Sequence, residues 1–160
     1  MVVASTRAAA GERADGTGPL IAAWLAARGF TVVGPVVVPD GDAVGAALRR
    51  ALSAAPRLVI TTGGTGLSPT DATPEQTAPL LTRALPGLAD AIRGAGAPHI
   101  PAAVLSRGLA GVAGTTLVVN LPGSTGGVRD GLGVLDGVLA HALEQIAGAD
   151  HPRDGAGHAG

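Results

Sequence analysis

Leu58-Val59-Ile60-Thr61-Thr62-Gly63-Gly64-Thr65-Gly66-Leu67-Ser68-Pro69-Thr70-Asp71-Ala72-Thr73-Pro74-Glu75 decides the fold class. Its first five residues are apolar or β-branched without alternation, the pattern of a strand covered on both faces. Three glycines follow within four positions. Then come Thr73 as a helix N-cap, Pro74 at the first helical position and Gln76 to close a capping box. Buried strand, glycine turn, helix is the repeating unit of open α/β sheets, which bind ligands at the carboxyl ends of their strands.

The rest of the chain agrees with that unit. Val2-Val3-Ala4 predicts a first strand, and Pro19 to Arg28 a helix with Leu20, Ile21, Trp24, Leu25 and Ala27 at helical spacing. Phe30 to Val38 reads as a second strand, with Gly34-Pro35 as a bend or edge irregularity. Asp42 caps a helix whose apolar face is Val44, Ala47, Leu48 and Leu52. Thr115 to Leu121 is another strand, and Leu88 to Arg93 and Gly127 to Ala147 read as helices. The pattern predicts one α/β domain over residues 1–147 with a mainly parallel sheet. Residues 148–160 turn polar and Gly-rich, which predicts a loose tail.

Composition removes whole classes of chemistry. Of 160 residues, 46% are hydrophobic and 14% charged, the balance of a folded chain rather than a disordered one. No Cys excludes thiol nucleophiles, thiolate metal sites and disulfides. All eleven cations are Arg, so Schiff-base chemistry and the lysine-dependent nucleotide sites of P-loop proteins and kinases are excluded. Trp24 and Phe30 are too few aromatics for a base-stacking platform, and a net charge of −1 offers no basic field, so no nucleic-acid partner is expected. No apolar run reaches bilayer length and no leader pattern opens the chain, which predicts a cytoplasmic protein without a membrane partner. The mean hydropathy of +0.39 fits either a subunit contact or a compact core.

Glycines at 63, 64 and 66 let a ligand approach main-chain N–H groups, and a helix start beyond them favours phosphate or carboxylate. Asp71 lies where phosphates would sit. It either caps backbone N–H groups or holds a Mg²⁺ that reconciles carboxylate with phosphate. Asp40, after Val36-Val37-Val38-Pro39, ends another strand; on spacing alone, Pro39-Asp40-Gly41-Asp42 reads as a turn. A second glycine loop, Asn120-Leu121-Pro122-Gly123-Ser124-Thr125-Gly126-Gly127, again joins strand to helix. Ser106 and Arg107 offer a hydroxyl and a donor fork suited to phosphate, or are surface loop residues. None of His99, His141, His151 or His158 has metal or triad spacing.

Taken in order, Thr61-Thr62-Gly63-Gly64-Thr65-Gly66, Asp71-Ala72-Thr73-Pro74-Glu75, Pro86-Gly87, Leu105-Ser106-Arg107 and Asn120-Leu121-Pro122-Gly123-Ser124 resemble the MogA/MoaB family of molybdenum-cofactor biosynthesis proteins, related to the gephyrin G domain. The resemblance implies a three-layer α/β/α domain, assembled as a homotrimer or in some members a hexamer. It implies a molybdopterin adenylyltransferase, which uses Mg-ATP to adenylylate the terminal phosphate of molybdopterin and releases pyrophosphate. The alternative is a non-catalytic molybdopterin-binding or carrier paralogue. Asp71 matches the family aspartate implicated in Mg²⁺ and catalysis, and Asp40 its Pro-Asp position after the second strand. Gly63, Gly64, Thr65 and Gly66, with Thr73, Ser106, Asn120, Pro122, Gly123 and Ser124, match segments that line the nucleotide and pterin pockets. Two departures stand out. Many members read Ser-Asp-Arg where this chain has Ser5-Thr6-Arg7, which puts one early polar contact in question, and many have proline where it has Thr125.

Overall fold

The computed structural model describes residues 1–148, so the expected tail beyond Gly148 lies outside the described residues. Chain order runs β1 (Val2–Ala4), α1 (Thr6–Ala9), α2 (Gly18–Ala27), β2 (Val36–Val38), α3 (Asp42–Leu52) and β3 (Leu58–Thr62). It continues with α4 (Thr73–Thr77), β4 (Arg83–Ala84), α5 (Pro86–Gly96), β5 (Ala110–Ala113), β6 (Thr116–Leu121) and α6 (Thr125–Ile146). The six strands form one sheet in the order β2-β1-β3-β6-β5-β4. The first four lie parallel, while β5 and β4 close the far edge antiparallel. The mainly parallel sheet expected from the sequence is therefore present, with an antiparallel edge.

Period-two alternation splits the strand residues between two cores. Ile60 of β3 and Leu117, Val119 and Leu121 of β6 pack with Ile21 and Leu25 of α2, Ile92 of α5, and Val128, Leu132, Leu135, Leu139 and Leu143 of α6. Val59 and Val118 point the other way, onto Val44 and Leu48 of α3. That makes three layers. Leu117, Leu121 and Leu135 have no measurable exposure, and each contributes on the order of 1.5–3 kcal/mol of burial free energy.

Three expectations need correction. Asp42 does not cap α3 but is its first residue, and the cap position falls on Gly41 without a side-chain bond. The second strand is Val36–Val38, not Phe30–Val38. Pro35 has no N–H to donate to a ladder, and the segment before it is tied instead by the Met1 ammonium donating to Val33 O at 2.7 Å. Thr73 is also not an N-cap with Gln76 as its box partner. Ala72 occupies the cap without a side-chain bond, and Thr73 is the first residue of a five-residue helix. Its hydroxyl donates to Gly63 O at 3.0 Å, while Gln76 Nε2 donates to Asp42 Oδ1 at 3.1 Å. The helices with a side-chain N-cap at this edge are α1, where Ser5 Oγ accepts from Ala8 N at 3.2 Å, and the long α6, whose N-cap Ser124 accepts from Gly127 N at 3.1 Å. Among the described residues no helix is long and apolar enough to cross a membrane.

Candidate active site

Order β2-β1-β3 makes β1 the point where the chain reverses direction across the sheet, and ligands bind in the crevice above such a point. A crevice of about 610 Å³ opens there, at the carboxyl ends of β1, β2, β3 and β6. Its walls are Ser5, Thr6 and Arg7 after β1; Asp40 after β2; Gly63, Gly64 and Asp71 after β3; and Gly123, Ser124 and Thr125 after β6. A fifth segment, between α1 and α2, contributes Arg13, Asp15 and Thr17.

Close backbone approach explains two of the glycines. A Cβ on Gly63 would stand 2.2 Å from Ala4 O, and one on Gly64 2.3 Å from Thr73 Oγ1; both residues have positive φ, 88° and 65°. Only glycine fits both the space and the dihedral. Gly63 N is committed to the sheet through Leu121 O at 3.1 Å. Gly64 N, by contrast, has no acceptor among the described residues. Thr62 Oγ1 donates to Pro122 O at 2.7 Å and so ties the two glycine loops together.

Both carboxylates are held by one oxygen and leave the other without a donor among the described residues. Asp40 Oδ2 accepts from Thr6 N at 3.1 Å and Thr6 Oγ1 at 2.9 Å. Asp71 Oδ2 accepts from Ser68 N at 3.2 Å. Thr6, which stands where many family members have aspartate, thus makes a polar contact of its own, to Asp40.

The remaining sequence candidates are placed behind the crevice rather than on its lining. Asn120 is 3% exposed; its Oδ1 accepts from Leu109 N at 3.0 Å, and its Nδ2 donates to Thr61 Oγ1 at 2.9 Å and Thr77 Oγ1 at 3.1 Å. Those bonds use its donors and tie β3, α4 and β6 into one unit. Thr65 O accepts from Arg107 N at 2.8 Å. Gly66 O accepts from Arg107 Nε at 2.9 Å, and Asp71 O from Arg107 Nη2 at 2.7 Å. Nη1 of the same guanidinium pairs with Glu75. A hydrogen bond from its own backbone N–H, and then Arg107, hold the Glu75 carboxyl below its ordinary value. The donor fork suited to phosphate is therefore spent on staging the loop that carries Asp71. Ser106 Oγ accepts from Gly108 N at 3.3 Å and sits outside the lining.

Residues 5–17 form a wall of which the sequence singles out Ser5-Thr6-Arg7, through the resemblance, but not Arg13, Asp15 or Thr17. Two signals pointed to it: Ser5-Thr6-Arg7 leaves a strand at its carboxyl end, and Asp15 stands three residues before a helical Gly18-Pro19 start. Asp15 Oδ1 accepts from Thr17 N at 3.0 Å and Gly18 N at 2.8 Å, which caps α2 from outside its first turn. His99 is exposed in the loop after α5, whereas His151 and His158 lie outside the described residues.

Comparison with known proteins follows the same outline. A family model described as a probable molybdopterin binding domain matches residues 1–141. The chain is 38% identical over 152 residues to a molybdenum cofactor biosynthesis bifunctional protein of Synechococcus elongatus, a match spanning 94% of this chain and 48% of that protein. It is 33% identical over 149 residues to a molybdopterin adenylyltransferase of Pyrococcus furiosus, spanning 90% of this chain and 88% of that one. The chain thus spans about half the length of the curated bifunctional relatives it matches. Among solved structures, the molybdopterin biosynthesis Mog protein from Mycobacterium ulcerans superposes with a TM-score of 0.87 at 60% identity, covering 92% of this chain and 94% of that one. The molybdopterin biosynthesis enzyme MoaB from Thermus thermophilus superposes with a TM-score of 0.85 at 43% identity and the same coverage.

Proposed function

This chain belongs to the family of probable molybdopterin binding domains, and from that premise we propose that it is a molybdopterin adenylyltransferase of molybdenum cofactor biosynthesis. The observation that carries the reading is the convergence of Asp40 and Asp71 on one crevice with the open amide of Gly64 and the N-terminus of α6. The likeness to the Pyrococcus furiosus molybdopterin adenylyltransferase supports it.

In the reaction, a phosphate oxygen of molybdopterin forms a bond to the α-phosphorus of ATP, and the bond from that phosphorus to the β-phosphate bridge breaks, releasing pyrophosphate. The nucleophile is already anionic, so the protein needs no strong base; positioning and charge neutralisation carry the rate. Thr125 and Gly126 open a 22-residue helix, whose N-terminus favours an anion by about 0.3–1 kcal/mol. Gly64 N donates to a phosphate oxygen. Thr6 and Ser68 fix the two carboxylates so that their free oxygens face the ligand.

Mg²⁺ suits this donor set. It takes one or two carboxylates and completes its shell with water and substrate oxygens. Asp71 and Asp40 each have one oxygen without a donor among the described residues, and Asp40 Oδ1 stands 3.1 Å from the point a Cβ on Gly64 would occupy, a space left open by the glycine. No group of three or more His, Cys, Asp and Glu forms among the described residues, so a Mg²⁺ here would be held by Asp71 and Asp40 together with substrate oxygens and water. Asp71, with help from Asp40, would hold the Mg²⁺, which would supply positive charge against the triphosphate.

We read the assembly as a homotrimer. Ile100, Val104 and Leu105 lie 51%, 60% and 53% exposed along one short turn, apolar surface that subunit contact would cover. Sedimentation velocity tests this part. The activity is tested by pyrophosphate release from Mg-ATP with and without molybdopterin. Release must depend on the pterin, and Asp71→Asn must abolish it while pterin binding persists. Unchanged turnover in that variant overturns the reading.

A further inference from the structure

Two cations of the crevice, Arg7 and Arg13, have no part in the chemistry above, although both line its wall. Neither guanidinium has a hydrogen bond or ion pair among the described residues. Elsewhere among the described residues Arg28, Arg93 and Arg107 are each paired with a carboxylate, while the guanidinium groups of Arg49, Arg50, Arg57, Arg83 and Arg129 also carry no hydrogen bond or ion pair. What sets Arg7 and Arg13 apart is their place: they share the lining of one crevice with three carboxylates, and those carboxylates are turned to other donors. Asp15 takes Thr17 N and Gly18 N, Asp40 takes Thr6, and Asp71 takes Ser68 N.

The loop presenting Arg13 is anchored on both sides. Glu12 N donates to Arg7 O at 2.9 Å and Gly11 N to Ala8 O at 3.1 Å, with Gly11 at φ 74° making the turn. On the other side, Asp15 holds the first amides of α2. The chain has no lysine at all. Any side-chain cation that meets a phosphate here is therefore an arginine, whose planar fork suits bidentate contact with phosphate oxygens.

We infer that Arg13, together with Arg7, is a phosphate-binding residue of the crevice, opposing the Gly64 amide and the α6 N-terminus across the ligand. This rests on the reading of the crevice as a site for phosphate-bearing substrates. Two such groups are in play, the triphosphate of ATP and the phosphate monoester of the pterin, and the chemistry of recognition is the same for both.

The test is steady-state pyrophosphate release by wild type, Arg13→Gln and Arg13→Lys, with each substrate varied in turn, alongside calorimetric titration of inorganic pyrophosphate. Arg13→Gln is expected to raise one KM about tenfold with kcat little changed, and Arg13→Lys to recover most of the loss. A rise confined to ATP places the arginine on the triphosphate; one confined to molybdopterin places it on the pterin phosphate. Thermal unfolding of the variants is expected to match wild type, because the side chain is exposed. If both KM values and pyrophosphate affinity are unchanged in Arg13→Gln, the inference is wrong. If wild type releases no pyrophosphate, the adenylyltransferase reading fails on its own, and the titration still decides the arginine.

Discussion

Thr6 and Asp40 grip each other from the ends of neighbouring parallel strands. Thr6 Oγ1 donates to Asp40 Oδ2 at 2.9 Å and accepts from Asp40 N at 3.1 Å, while Thr6 N donates to the same carboxylate oxygen at 3.1 Å. The hydroxyl acts as donor and acceptor at once, which neither a carboxylate nor an alanine can do at this position. Asp40 is aimed into the crevice by this contact rather than by the turn that follows it.

Thr6→Val keeps the shape and removes the hydroxyl, taking two of the three contacts with it. A hydrogen bond to a charged group is worth about 1.5–3 kcal/mol, so kcat/KM for pyrophosphate release is expected to fall about tenfold or more. Thr6→Ser is expected to stay near wild type. Equal kinetics for Thr6→Val and wild type would show that Asp40 needs no such support.

Asn120 is expected to behave as a structural residue. Asn120→Ala leaves Leu109 N, Thr61 Oγ1 and Thr77 Oγ1 short of a partner in a buried site. Unsatisfied buried groups cost about 1–3 kcal/mol each, with partial relief from water, so the folded state is expected to lose roughly 2–4 kcal/mol in denaturant titration. A variant of full stability that has lost pterin binding would return Asn120 to the ligand.

Glu75 sets a pH dependence of known sign. Its carboxyl lies below the ordinary value of 4.5 in the folded chain, through its own backbone N–H first and Arg107 second. A depressed folded value means the stabilisation is fully present above 4.5 and is lost as pH falls through the folded value. The pair is substantially exposed, so screening keeps the effect small. The difference in melting temperature between wild type and Glu75→Gln is expected to be positive near neutrality and to shrink as the solution is acidified. A difference that grows on acidification contradicts this linkage.

How much of this was legible in the sequence follows from how local each signal is. Leu58–Thr62 emerges with the expected bounds, and Thr116–Leu121 begins one residue late, because an unbroken apolar run between turns leaves little choice. Asp40, Asp71, Gly63, Gly64, Gly123 and Ser124 reach the lining because they follow strands whose carboxyl ends share one edge. Thr73 and Asn120 looked like ligand residues because they sit inside glycine-loop motifs, yet both turn inward to satisfy buried partners. That choice is made by neighbours far along the chain. Arg107 shows the same limit: a donor fork reads as a phosphate clamp until its acceptors, Gly66 O and Asp71 O, are seen beside it. Arg13, Asp15 and Thr17 are harder to read because the segment between α1 and α2 leaves no strand, so nothing local assigns it to the sheet edge where the crevice opens.

Glycines along α6 separate packing from habit. A Cβ on Gly131 would meet Leu121 Cδ2 at 2.6 Å and Ile92 Cγ2 at 3.3 Å. Leu121 is fully buried, so it has nowhere to move. Gly131→Ala is therefore expected to cost about 1–3 kcal/mol through overpacking of the α6 contact with the sheet. Gly133 and Gly137 lie on the same helix, and a Cβ added at either would meet nothing within 4 Å. There alanine only removes backbone freedom from the unfolded chain, so each substitution is expected to gain about 0.5–1 kcal/mol. Thermal unfolding of the three single variants checks the contrast. Destabilisation by Gly133→Ala or Gly137→Ala would mean that this face of α6 is covered by another chain, and the helix could not then be treated as solvent-facing at those positions.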